Sequence, residues 1–187
     1  LPLDIQFVFT ANPEDYTNRG SIVTPLKDRI ESQILTHYPK DIATSKIITH
    51  QEANINSSQN NSVQLNEIAK DLIEQIAFEA RKSEYVDQKS GVSARMTITA
   101  LENLVSGAER RSLKSNESKT FVRVSDFWSV IPSITGKIEL VYEGEQEGPY
   151  IVAVNLIGKA IRSQFTNYFP APEKAKKPIG KKTETQQ

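Results

Sequence analysis

Three short segments carry side chains placed where ligand chemistry could occur. Asn12 is an uncharged polar residue at the carboxyl end of the apolar run Leu3 to Thr10. A run that alternates only at its start and then turns continuously apolar reads as a strand buried on both faces. The crevice beyond the carboxyl ends of such strands is where ligands gather in open α/β sheets. Asp28 and Arg29 form the second candidate, inside Thr24-Pro25-Leu26-Lys27-Asp28-Arg29. Arg95 is the third, closing Ser90-Gly91-Val92-Ser93-Ala94-Arg95 at the start of a helical pattern, where its charge opposes the helix dipole and invites an anionic partner. Each is weak alone, because Asn-Pro also ends ordinary strands in turns, Asp-Arg also makes exposed surface pairs, and exposed first-turn arginines are common.

The remaining reactive side chains point to little. His37 and His50 lie on different predicted elements, which suits structural roles, and the sequence has no Cys, so thiolate zinc sites, iron–sulfur clusters and cysteine nucleophiles are excluded. Glu143, Glu145 and Glu147 in a Gly-rich turn read as solvated rather than as a divalent-cation site, and Trp128 reads as a core anchor. No metal site is expected. With 23 Lys plus Arg against 23 Asp plus Glu, the formal net charge is +0, without the global basic excess of a nucleic-acid binder. Nucleic acid would be left only the Lys-rich segment Lys174 to Lys182, which reads as a solvated tail. The longest nearly apolar stretch, Ile151 to Ile157, is far shorter than the roughly 20 residues that span a bilayer. A cytoplasmic protein is expected, with no membrane partner, so the Asn56, Asn60 and Asn116 sequons carry no weight. The start at Leu1-Pro2-Leu3, without Met or a secretory signal, suggests a piece of a longer protein.

Periodicity supplies the elements that would position these residues. After the strand, Asn12 to Ser21 is loop chemistry, Thr24 caps a short helix over Pro25 to Glu31, and Ser32 to Tyr38 reads as a second strand. Asp41 to Ala53 has helical spacing, and Asn54 to Ser62 reads as a low-complexity spacer. Ser62 then caps a long helix reaching about Tyr85, with an apolar stripe through Leu65, Ile68, Leu72 and Ile76. Ser93 caps a further helix with Thr97, Leu101, Leu104, Val105 and Ala108 inside, so Arg95 lies in its first turn. Phe121 to Val124 is a brief extended piece, Ser125 caps a turn through Trp128, and Pro149 opens a last helix whose stripe is Tyr150, Val154, Ile157, Ile161 and Phe165. From about 170 the low apolar content predicts a disordered tail. The expected fold class is an α/β fragment, about 1–53, joined through a 54–62 linker to a mainly α-helical domain over about 63–169.

In this order the three segments resemble the second half of an AAA+ ATPase module, that of the magnesium chelatase ATPase subunit and its MoxR-like relatives. F-V-F-T-A-N-P-E-D-Y-T-N-R-G-S-I-V-T-P-L-K-D-R-I resembles that family's sensor 1 strand, loop and arginine-finger helix. S-G-V-S-A-R resembles its lid sensor, and I-T-G-K-I-E-L-V-Y-E-G-E-Q-E-G its lid region. The resemblance implies that Asn12 is sensor 1, orienting the attacking water or the γ-phosphate, and that Arg29 is an arginine finger reaching a neighbour's nucleotide, with Asp28 holding it. It implies that Arg95 is sensor 2, coupling γ-phosphate to lid closure. ATP and Mg2+ are then the implied cofactors, a homo-oligomeric ring, a hexamer, the implied assembly, and a protein carrying a von Willebrand factor A domain the implied partner.

The G-x-x-x-x-G-K-[ST] loop that cradles phosphates is missing. Ahead of Gly136-Lys137, Gly158-Lys159 and Gly180-Lys181 the fifth residues back are Ile131, Ala153 and Ala175, and no Ser or Thr follows the lysines. An apolar strand ending in an acid for Mg2+ is missing too, so the chain is expected not to hydrolyse ATP alone. The link between sensor strand and finger helix is also longer than in the chelatase subunit, which counts against metal insertion into a porphyrin more than against ATPase function. The alternative is a non-catalytic helical module that binds proteins.

Overall fold

The computed structural model describes residues 4–10, 25 and 28–170, and they fall into two units, Leu1–Tyr38 and Pro39–Gln187. In the first unit residues 4–10 form no strand, and Phe7 and Val8 are 70% and 83% exposed. The run is nonetheless extended: Phe7 and Phe9, two residues apart, stack on one side with ring centroids 6.0 Å apart. A buried strand needs neighbours to take its backbone groups, and among the described residues it has none. The expected second strand also fails, since residues 30–39 are irregular and Ile34 and Leu35 are exposed. Asp28 and Arg29 lie in a turn rather than mid-helix.

The second unit is mainly helical. Its elements are α1 (Ile42–Glu52), α2 (Ser57–Ser62), β1 (Val63–Gln64), α3 (Glu67–Ala80), α4 (Arg95–Lys114), β2 (Thr120–Phe121), a 3-10 helix (Val124–Val130), α5 (Ile131–Thr135), α6 (Tyr142–Glu147) and α7 (Pro149–Tyr168). The strands pair in parallel, Val63 with Thr120 and Gln64 with Phe121, and α3 and α4 form the crossover between them. Single antiparallel bridges, Val86 to Leu140 and Val92 to Ile138, pin the α3–α4 connection. Helix α3 is the hub, packed on α1, α4 and α7. The core around it includes Ile73, Ile76, Met96, Leu104, Ile134 and Leu156.

Several boundaries move from the sequence expectation, each through a cap or a packing contact. Helix α1 packs on α3 and α4, so the chain divides at Tyr38/Pro39 and not at residue 53. The expected spacer holds α2, because Asn56 and Gln59 form a capping box and Gln59 bonds Glu109 on α4 at 2.9 Å. Helix α3 begins after Asn66, whose Oδ1 accepts the Ala69 N–H at 2.8 Å, and ends at Ala80, short of Tyr85. Expectation and structure agree on α4: Thr97, Leu101, Leu104, Val105 and Ala108 are all buried. On α7 the buried face is instead Val152, Ala153, Leu156, Ala160 and Gln164. Small residues let α7 lie close to α3, and Gln164 donates to the buried Gln75 at 2.8 Å. Trp128 is no core anchor; it is 59% exposed and stacks on Tyr150 at 6.4 Å. Glu143, Glu145 and Glu147 belong to α6 rather than to a turn. The predicted tail from Ala171 on lies outside the described residues.

A clamp joins α4 to the segment beyond it. Arg111 bonds both Asp126 carboxylate oxygens at 2.9 Å, the Thr120 hydroxyl at 2.9 Å and the Phe121 carbonyl at 2.8 Å. Burial pushes the Asp126 carboxyl up, but Arg111 and the Arg123 N–H outweigh it and hold the group below its ordinary range. Losing the guanidinium would strand a buried carboxylate, so Arg111→Met is expected to destabilise the unit by about 3 kcal/mol in denaturant unfolding. For a depressed carboxylate the stability is present above the ordinary aspartate range and lost as pH falls through the folded value. Acid unfolding of the wild type should therefore steepen below about pH 4, and that component should vanish in the variant. Gly107 tests the same junction sterically. A methyl there would meet the Ser129 Oγ at 2.5 Å, and that hydroxyl is fixed by bonds to the Asn103 and Asp126 carbonyls at 2.9 and 2.6 Å. Gly107→Ala is expected to lower thermal stability, although alanine is the better helix former.

Candidate functional site

The residues singled out in the sequence fall in different places. Asn12 lies outside the described residues. Asp28 and Arg29 are exposed in the first unit, and Arg95 is the exposed first residue of α4 in the second, so neither unit alone carries the constellation. Ser93 Oγ accepts the Arg95 N–H at 3.2 Å and sets the helix start, with Ala94 at the formal cap position. The Arg95 guanidinium makes no hydrogen bond or ion pair among the described residues. A guanidinium unengaged among the described residues, in the first turn of a 20-residue helix, leaves positive charge open to an anion. His37 and His50 are both exposed, and no cluster of three or more metal-ligating side chains occurs among the described residues.

The structure adds a cleft that the sequence did not reveal. It has a volume of about 550 Å3 and lies among α1, α3 and α4, lined by Lys46, Ile47, Thr49, His50, Ile73 and Glu74 among others. A second recess of about 530 Å3 shares His50, Leu65, Lys70 and Leu101 with it. The walls of the first cleft are largely apolar and the charges at its rim are paired. Lys46 sits 2.6 Å from Asp71 and 3.3 Å from Glu67, and Lys70 sits 2.6 Å from Glu67. The Asp71 bond, reinforced by Glu67, holds the Lys46 ammonium above its ordinary range. Asp71 also accepts from the Tyr168 hydroxyl of α7, which raises that phenol.

Glu74 is the unusual member, a carboxyl 1% exposed on the hub helix. Ser45 donates to its Oε2, and Thr49 bonds the Thr97 hydroxyl at 2.8 Å, so one polar network ties α1 to α3 and α4. Burial pushes the Glu74 carboxyl above its ordinary range, against lowering by Ser45, Thr49, Arg81 and Lys46. Ser45 is itself 4% exposed, so this adjacent hydroxyl and carboxyl are nearly closed to solvent at the back of the cleft. Only the position of Glu74 three-dimensionally opposite Ser45 reveals the pair, since 29 residues separate them in sequence.

Comparison with protein-family models, with curated proteins and with solved structures finds no match. What the chain does therefore has to be read from its own residues. No described helix is long and apolar enough to cross a membrane.

The Glu74 network makes a signed prediction. A carboxyl raised in the folded state contributes stability that is present below the ordinary glutamate value of 4.5 and lost as pH rises through the folded value. Glu74→Gln, which keeps an acceptor for Ser45 without a charge, is expected to raise the unfolding midpoint at pH 8. It should also remove the decline in stability that the wild type shows as pH rises above the ordinary glutamate range, followed by thermal melts across a pH series.

Proposed function

We propose that this chain is the C-terminal part of a chelatase-like AAA+ ATPase, coupling ATP binding and hydrolysis in a homo-oligomeric ring to the remodelling of a partner protein. The observation that carries the reading is Arg95: in the segment that resembles the lid sensor, its guanidinium is exposed and unengaged at the start of a long helix. Support also comes from the extended, unpaired run over residues 4–10. Ile5, Phe7 and Phe9 give it one apolar, exposed face, which as a strand of such a core would be covered and would need flanking strands from the rest of it. ATP would supply a transferable γ-phosphoryl group. In the proposed ring Arg29 lends positive charge to a neighbouring subunit's site, Asp28 beside it restrains the guanidinium, and Asn12 positions water through its uncharged amide. Arg95 gives the helical unit a reason to close on an anion, which is how occupancy of the site becomes movement. The residues present fit that anion at Arg95; no phosphate-cradling loop is among them, so the P-loop half would hold ATP and Mg2+.

A second reading, a non-catalytic helical interaction module, is favoured by the exposed apolar face of α7.

Mutation separates the two. With the nucleotide-binding half joined, Arg29→Ala is expected to lower ATP turnover by about 10³-fold or more and Arg95→Ala to lower it strongly, while circular dichroism stays unchanged. Turnover indifferent to both arginines would refute the ATPase reading. The 187-residue chain by itself is expected to show no hydrolysis above background.

A further inference from the structure

Helix α7 presents an apolar face to solvent along its whole length. Tyr150, Ile151, Val154, Ile157, Ile161 and Phe165 fall, with Gly158, within an arc of about 120° at 3.6 residues per turn. Tyr150, Ile151 and Phe165 are half-exposed or nearly so, Val154, Ile157 and Ile161 are partly covered by the core, and no charge interrupts the arc. Each end carries an aromatic stack, Trp128 on Tyr150 at the start and Phe165 on Phe169 at 4.9 Å at the finish. A methyl built at Gly158, in mid-helix, would touch nothing within 4 Å. Glycine in an open helix interior weakens the helix, and a close helix–helix approach is a compensating use for it.

We propose that this face pairs with a second copy of the chain through an antiparallel contact between the two α7 helices, on a two-fold axis passing between Ile157 and Gly158. The spacing is self-complementary about that axis: Tyr150 meets Phe165, Val154 meets Ile161, and Ile157 enters the space over Gly158. A parallel pair would leave Gly158 facing Gly158 with that space unfilled, and would align the helix dipoles unfavourably. The area suits a dimer. Trp128, Tyr150, Phe165 and Phe169 together leave roughly 400 Å2 exposed per copy at about 200 Å2 per ring side chain. With the aliphatic residues, complete coverage of both faces would bury about 1,200 Å2, the lower edge of specific interfaces. This proposal stands apart from the ATPase reading, because a two-fold contact closes on itself whereas a ring grows head to tail.

Sedimentation equilibrium of the 187-residue chain from about 1 to 200 µM tests it. A monomer–dimer equilibrium in that range is expected. Gly158→Glu places like charges on the axis and should weaken association about 100-fold. Glutamate is also the better helix former, so the monomer's melting temperature should hold or rise, which separates lost pairing from lost folding. A wild type monomeric at 200 µM would overturn the proposal and leave the face to a different protein; a dimer that survives Gly158→Glu would overturn the site. Orientation is read from single cysteines, clean here because the sequence has none. Tyr150→Cys mixed with Phe165→Cys should cross-link with a short bis-maleimide, and neither should cross-link alone, since equivalent positions lie about 22 Å apart in the antiparallel pair. Cross-linking of each variant only with itself would overturn the antiparallel geometry.

Discussion

Burying a helix on several sides at once obliges every polar side chain it carries to find a partner on a neighbour, and α3 bears that obligation for the whole second unit. Glu74 is answered by Ser45 of α1, Gln75 by Gln164 of α7, and Asp71 by Lys46 of α1 and Tyr168 of α7. Glu79 takes Ser163 of α7 at 2.8 Å. Apolar burial supplies attraction without direction, whereas these bonds fix the depth and rotation at which α1 and α7 dock, because a mispaired buried polar group costs more than a misplaced methyl. The rotation of α7 follows: it brings Gln164, Ser163 and Tyr168 to α3 and turns the larger apolar stripe outward.

That rotation is where the sequence was hardest to read. Periodicity placed α1, α4 and α7 along the chain, and the five inner residues of α4 were legible because its apolar and polar faces are cleanly divided. On α7 two faces compete, one large and apolar, the other small with a buried glutamine, and a rule that puts the larger side chains inside picks the wrong one. Choosing correctly needs Gln75, some 89 residues away, as the partner of Gln164. The spacer reading of 54–62 failed for a related reason: Asn, Ser and Gln are the residues of low-complexity linkers and also of helix caps, and only the return bond from Gln59 distinguishes them.

The candidate site was legible to different degrees. Arg95 stands in the first helical turn, as its spacing after Ser93 required, and its guanidinium is unengaged among the described residues. Asp28 and Arg29 are exposed as a polar pair should be, but in a turn, since a Pro at a helix start permits a helix without compelling one. The cleft and Glu74 left no trace in the sequence, where Glu74 reads as one more helix-surface acid. Its burial is a property of three helices together, and no window of the chain contains them.

The order in which the chain leaves the ribosome gives the α3–α7 contact a further meaning. Helix α3 is complete at Ala80, but the helix that covers one of its buried faces ends only at Tyr168, and the β1–β2 pair cannot close until Phe121 has been made. Between the making of Ala80 and of Tyr168, α3 therefore holds an apolar face and polar groups without their final cover, the condition in which nascent chains aggregate or recruit chaperones. The α3 packing is completed only once α7 has been made.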